Sequence, residues 1–350
     1  MKVLQKFGSL RQRRIADTGG DALPTGRRGA IVASLAVVAV LLTGSIAFVA
    51  SMLLDPRASL GAIIPAPVAG DKIPVFSFSI HGKEDQPLSK PLSVVEGSNG
   101  DIYVADSGNG VVQVFDYQGN FKTTIGRQSL NTPRPGELRY PIGVAVDENN
   151  RLYVSDSVGT HISIFEDGKF VEYMGEKDGK KQFSVPAGLV YKHGYLYVND
   201  IGYHQVLVYR PSGELVRTVG LGRGTEPGEM EFPNFSAVDN DGTIFVSDSN
   251  NNRVQIFNAN GSRAGVIQTA GKGGVYLPRG IGVDVAGRLH VVSTFGHRVE
   301  VFDRSGNWLF SYGKQGEKDG EFNFPNGLYV TAKRIYVADR ENNRVQVWQY

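Results

Sequence analysis

Five aspartates recur at one place in the sequence pattern: Asp106, Asp156, Asp200, Asp248 and Asp339, with Ser293 standing in a sixth. Each closes a short run such as IYVAD or LYVSD. A set of carboxylates can ligate a metal or move protons. Recurrence in nearly every repeat favours a structural role, because aspartate accepts backbone N–H bonds in tight turns. Histidine is the next candidate. His204 and His297 hold the same position after the aspartate, two repeats apart, and His161 sits one place further along in its own repeat. Zinc catalysis normally takes three protein ligands, and His81, His193 and His290 fall at unrelated positions. No metal and no cofactor is expected. Arg253, Arg298 and Arg344 open the run that follows the aspartate turn. Local pairing with acids explains them, and with His204 and His297 they form a secondary group of ligand candidates.

Other catalytic signatures are missing. The chain has no H-E-x-x-H, no G-x-S-x-G, no phosphate-binding glycine loop and no EF-hand loop. With no cysteine, disulfides, thiolate metal sites and a cysteine nucleophile are excluded. The expected catalytic set is therefore empty.

The elements that carry these residues form a repeat. It begins at Pro91, Pro141, Pro186, Pro233, Pro278 and Pro325, at spacings of 50, 45, 47, 45 and 47. Each unit holds four short β-type runs, lettered a to d from innermost to outermost. In the second unit these are GVAVD, LYVSD, HISIFE and FVEYMG, joined by turns rich in Gly, Asn and Asp. A period near 45 with this content predicts a β-propeller. The last unit has a (GLYVT), b (RIYVAD) and c (RVQVWQ) but no d, whereas a d-like run, VFSFSIHGK, lies upstream at Val75–Lys83. The predicted fold is all-β, a six-bladed β-propeller over 73–350, closed by an N-terminal strand that completes the last blade. Tyr103, Tyr153, Tyr197, Phe245 and Tyr336 share one strand-b position and read as packing between blades. Phe183, Met230 and Phe322 read as wedges ahead of the next blade's proline.

In a four-stranded meander the d–a and b–c turns share one face. That face collects the Pro-x-Gly starts and the aspartate turns. The residue after each proline enters the central channel there: Leu92, Ile142, Ala187, Asn234, Arg279 and Asn326. Three consecutive blades are apolar and three are polar, an asymmetry that a scaffold does not need. These six are the primary ligand-binding candidates. The arginine suits a carboxylate or other anion, and the asparagines suit an amide or hydroxyl.

At these residues the sequence resembles the NHL-repeat family. The match is carried by IYVADSGNGVVQVFDYQGNF from Ile102, IFVSDSNNNRVQIFNANG from Ile244 and IYVADRENNRVQVWQ from Ile335, with Pro-x-Gly at 141–143, 186–188, 278–280 and 325–327. The resemblance covers essentially all of 73–350. It implies the fold and leaves function open, since relatives include binding modules on ubiquitin ligases, extracellular sensor domains of bacterial kinases and an amidating lyase. That lyase places zinc-binding histidines on alternate blades. Here the matching position in blade one is Gly110, so the pattern is incomplete.

Upstream, Gly29–Leu54 (GAIVASLAVVAVLLTGSIAFVASMLL) holds 26 residues without a charge, enough to cross a bilayer core of ~30 Å. Residues 1–28 carry seven Lys/Arg against two Asp and have no apolar period, which predicts a basic cytoplasmic tail without a fixed fold. One transmembrane helix therefore precedes a Pro/Ala/Gly linker at 55–72 and a propeller outside the cytoplasmic membrane. Residues 73–350 hold 28 Lys/Arg and 31 Asp/Glu, which speaks against nucleic acid. The expected function is a membrane-tethered binding, sensing or scaffold module, a monomeric propeller whose partner is a protein, a peptide or a cell-wall polymer. The alternative is a lyase or hydrolase acting at the channel mouth.

Overall fold

Runs of β-branched and aromatic residues punctuated by Gly, Asn and Asp turns make short antiparallel strands. A computed structural model describes residues 72–129, 134–158, 160–177, 180–268 and 273–350. It arranges these strands as six four-stranded antiparallel sheets. In blade one, strands a to d are Ser93–Glu96, Ile102–Asp106, Val111–Phe115 and Phe121–Ile125. Blade four runs Pro233–Val238, Ile244–Asp248, Arg253–Phe257 and Arg263–Ile267, and blade five runs Pro278–Val283, Leu289–Ser293, Arg298–Phe302 and Trp308–Tyr312. Blade six takes a, b and c from Leu328–Val330, Arg334–Asp339 and Arg344–Gln349, and its d strand is Val75–Ile80.

The closing strand pairs antiparallel with strand c of blade six, Phe76 opposite Trp348, Phe78 opposite Val347 and Ile80 opposite Val345. The upstream run is shorter than its sequence suggests. It stops at Ile80, and Gly82–Lys83 turns into a small hairpin with Gln86–Pro87. The two ends of the ring are also tied between blades. Asn343 Oδ1 accepts from Lys90 N at 2.8 Å, Gly327 N donates to Leu92 O at 2.9 Å, and Arg334 stacks on the Tyr117 ring.

The Pro-x-Gly glycines are needed for close approach. A Cβ on Gly143 would lie 2.3 Å from Ala187 O, and one on Gly327 would lie 2.4 Å from Leu92 O. Neighbouring a strands thus touch backbone to backbone around the axis. Further out, aromatic residues fill the gaps between blades. Tyr103 packs with Val144, Leu152 and Phe165 between blades one and two, and Phe245 packs with Ile281, Leu289 and Val291 between blades four and five. Burying each such ring contributes roughly 1.5–3 kcal/mol. The wedges behave as expected. Phe183, Met230 and Phe322 are buried, and Phe322 lies against Gly313, where a Cβ would meet its ring at 2.3 Å.

Among the described residues no helix is long and apolar enough to cross a membrane. The predicted tail at 1–28, the apolar segment at 29–54 and all of the linker except Lys72 lie outside the described residues.

Candidate functional site

The aspartates that close strand b are all buried and their oxygens are taken up by the scaffold. Asp200 accepts from Ser184 N and Val185 N ahead of its blade, and from Gly202 N and Tyr203 N in its own turn, at 2.7–3.0 Å. Asp339 accepts from Asn323 N, Asn342 Nδ2, Arg344 Nε and Gln346 Nε2 at 2.7–2.9 Å. Ser293 does the same with less, accepting from Tyr276 N at 2.9 Å. Each residue clamps the incoming d–a connection to the b–c turn. Among the described residues no group of three His, Cys, Asp or Glu converges as a metal site would.

The arginines complete these clamps. Arg253 bonds Asp248 at 2.7 Å and donates to the carbonyls of Thr225, Glu226 and Glu229. Arg344 repeats this with Asp339, Lys318 and Glu321, whereas Arg298 pairs with buried Glu300. All three stand on strand c, away from the channel.

His204 and His297 are clips between blades. His204 Nδ1 accepts from Phe232 N at 3.1 Å, and His297 Nδ1 accepts from Phe324 N at 3.2 Å. Asn252 and Asn343 hold the same position and accept from Leu277 N and Lys90 N. All four occupy left-handed backbone at the end of the turn. The imidazole thus does the work of an asparagine carbonyl, and burial pulls both histidine pKa values down. Of the others, His161 lies against the Tyr173 ring, His193 Nε2 meets Asp239 O at 3.1 Å, and His81 is exposed.

The channel mouth differs from this uniform scaffold. Leu92 and Ala187 are buried beneath their neighbours, and Ile142 is half-buried, so the apolar half offers less surface than the sequence suggests. On the polar half, Asn234 is fully engaged. Its Nδ2 donates to Phe232 O at 2.9 Å and Ser249 Oγ at 2.8 Å, and its Oδ1 accepts from Arg279 Nη1 at 2.9 Å. Arg279 is held at its backbone as well, by Ser247 Oγ donating to its carbonyl at 2.6 Å. Its Nε is buried without a partner, as is Asn326 Oδ1. Desolvation, followed by the positive charge of Arg340, brings the Arg279 pKa down to about 10, with Tyr140 on the opposite blade acting the other way.

Arg340 is the mouth residue that the sequence reading missed. It is the first residue of the b–c turn in blade six, where other blades carry Ser107, Ser157, Ile201, Ser249 and Thr294. Ser107, Ser249 and Thr294 each donate a hydroxyl to the next blade's proline carbonyl. An arginine in that column breaks the repeat, and its Nε too is buried without a partner. The signal is present in the sequence, since one arginine stands in a column of serines, a threonine and an isoleucine.

Comparison with known proteins agrees with this geometry. The NHL repeat family matches residues 232–257 and 322–348, which cover the clamps of blades four and six. A family described as 6-bladed beta-propeller matches residues 82–178. The chain carries NHL repeats. It is 28% identical over 202 residues to peptidyl-glycine alpha-amidating monooxygenase B of Xenopus laevis, a match covering 54% of this chain and 23% of that protein. It is 24% identical over 259 residues to human NHL repeat-containing protein 3, covering 66% of this chain and 74% of that one. The match thus spans under a quarter of the length of the amidating enzyme. Among solved structures, a gluconolactonase from Xanthomonas campestris superposes with a TM-score of 0.57 at 17% identity, covering 81% of this chain and 97% of that one, which shows the shared fold alone.

Proposed function

We propose that the NHL propeller is a binding or sensing module, tethered through Gly29–Leu54 and displayed outside the cytoplasmic membrane. Its ligand engages the face that carries the Pro-x-Gly starts and the aspartate turns. The observation that carries this reading is the break in the repeat at Arg279, Asn326 and Arg340. At this mouth three buried polar atoms on residues that depart from the repeat have no partner among the described residues. A protein, a peptide or a cell-wall polymer is the partner class, and the slight acidic excess of 73–350 opposes nucleic acid. Lys72 supports the orientation. Its carbonyl accepts from Arg288 Nη1 at 3.3 Å at the a–b turn of blade five, on the face opposite the mouth. The chain thus enters the propeller on the face opposite the mouth.

The test is capture from cells by crosslinking, with full-length protein and its Arg279→Ala/Asn326→Ala double variant compared at equal thermal stability. The wild type should retain a partner that the variant loses. Equal capture by both removes the mouth as the receptor site. Protease added outside intact spheroplasts should digest the propeller, and its full protection would overturn the localisation.

A second reading is a lyase or hydrolase at the same mouth, favoured by the similarity to an amidating enzyme. Turnover of an amidated-peptide precursor or a lactone by the purified protein, together with stoichiometric metal, would establish it in place of the first.

A further inference from the structure

Given a ligand at the mouth, as proposed above, we propose that it presents a carboxylate there, held by Arg279 and Arg340 together. Arg279 has one edge of its fork committed, with Nη1 on Asn234 Oδ1 at 2.9 Å. Its buried Nε has no partner, and among the described residues none accepts from its Nη2, so the other edge of the fork is unsatisfied. Two parallel N–H groups on a planar fork match the two oxygens of a carboxylate. Among the described residues no Asp or Glu pairs with Arg279. A desolvated cation with no counter-ion is costly, and an anion at this edge relieves it.

The charge count sets the ligand class. Arg340 brings a second guanidinium from the adjacent blade, partly neutralised by Glu341 at 3.3 Å. Two arginines and one glutamate leave a single positive charge, which a monoanion balances and a phosphate dianion exceeds. Asn326 Oδ1, buried and unpartnered, accepts from a donor beside the carboxylate. The ligand is therefore a carboxylic acid with an adjacent N–H or O–H, arriving as a free small acid or as part of a chain. Arg340 stands where three other blades use a hydroxyl to tie the next proline carbonyl. Arg340→Ser accordingly restores the scaffold residue while removing the charge.

The experiment is calorimetric titration of the full chain in detergent with N-acetylalanine, N-acetylalanine amide, acetate and inorganic phosphate. N-acetylalanine should bind saturably. Arg340→Ser and Arg279→Met should each weaken it at least tenfold with the melting temperature unchanged for the serine variant. Acetate binding as well as N-acetylalanine supports a free small acid, and dependence on the acylamino group supports a chain; both leave the carboxylate site standing. The amide binding as tightly as the acid, phosphate binding more tightly than either, or equal binding by Arg340→Ser overturns the carboxylate assignment. Should no acid bind while mouth-dependent partner capture persists, the carboxylate assignment falls and the receptor reading survives.

Discussion

At the scale of single residues, the molecule separates groups that look alike in sequence. Asp339 and Arg344 form a buried pair at 2.8 Å, and losing one partner strands the other charge. Asp339→Ala should lower stability by about 3–5 kcal/mol, read from urea unfolding. His204→Asn should cost under ~1 kcal/mol, since Asn252 and Asn343 already make the same bond. A larger loss, or a change in bound metal, would show that the imidazole does more than clip two blades. Repetition makes the departures at Asn234, Arg279 and Asn326 legible in the sequence, and the same repetition marks the aspartates as scaffold. That Asn234 is consumed in positioning Arg279 is not legible, because that bond joins blades four and five.

At the scale of elements, the sequence pattern carried the blade boundaries well. Strands b and c of blade six were expected at Arg334–Asp339 and from Arg344, and they lie there. The d strand of the same blade was legible through its likeness to the fifth unit's d run, despite the 263 residues between Ile80 and Arg344. Its end was not, because Gly82 takes a positive φ that the run of residues does not reveal. Removing Val75–Ile80 should expose the strand c edge of blade six and uncover Trp348 and Val347. Limited proteolysis should then cut blade six first, and the melting temperature should fall sharply. Equal protease resistance in the shortened protein would contradict closure by this strand.

At the scale of the whole molecule, blade five sets a buried polar cluster at the strand-b position that is aromatic in the other blades. His290 replaces the strand-b aromatic in blade five and is wholly buried. Its Nδ1 faces Tyr312 Oη at 3.3 Å, and its Nε2 faces Asp284 at 3.3 Å and Tyr350 Oη at 3.0 Å, with Arg288 also bonded to Asp284. Burial holds the imidazole below its usual pKa, against the pull of Asp284. Burial alone would raise the Asp284 pKa, but hydrogen bonds from His290 and Arg288 outweigh it and lower it. Above the unfolded histidine pKa of ~6.5, both states are neutral and the group adds nothing. As pH falls below that value the unfolded chain takes up a proton that the folded chain resists, so stability drops. His290→Phe should shrink the difference in unfolding free energy between pH 7 and pH 5, and an unchanged difference would assign the acid sensitivity elsewhere. The sequence signal for this cluster is the histidine in an otherwise aromatic column; that Tyr350 of blade six joins four residues of blade five is visible only once the two blades pack.

The direction of the closing strand has a mechanical consequence. Val75 lies opposite Gln349 and Ile80 opposite Val345, so a pull on the chain before Val75 runs along the strand axis. The inter-strand bonds lie across that axis and are loaded together, in shear, instead of opening one after another. Single-molecule stretching between a handle before Val75 and one at Val345, at opposite ends of the pair, should meet a higher rupture force than stretching between a handle before Val75 and one at Gln349, where the same bonds unzip in turn.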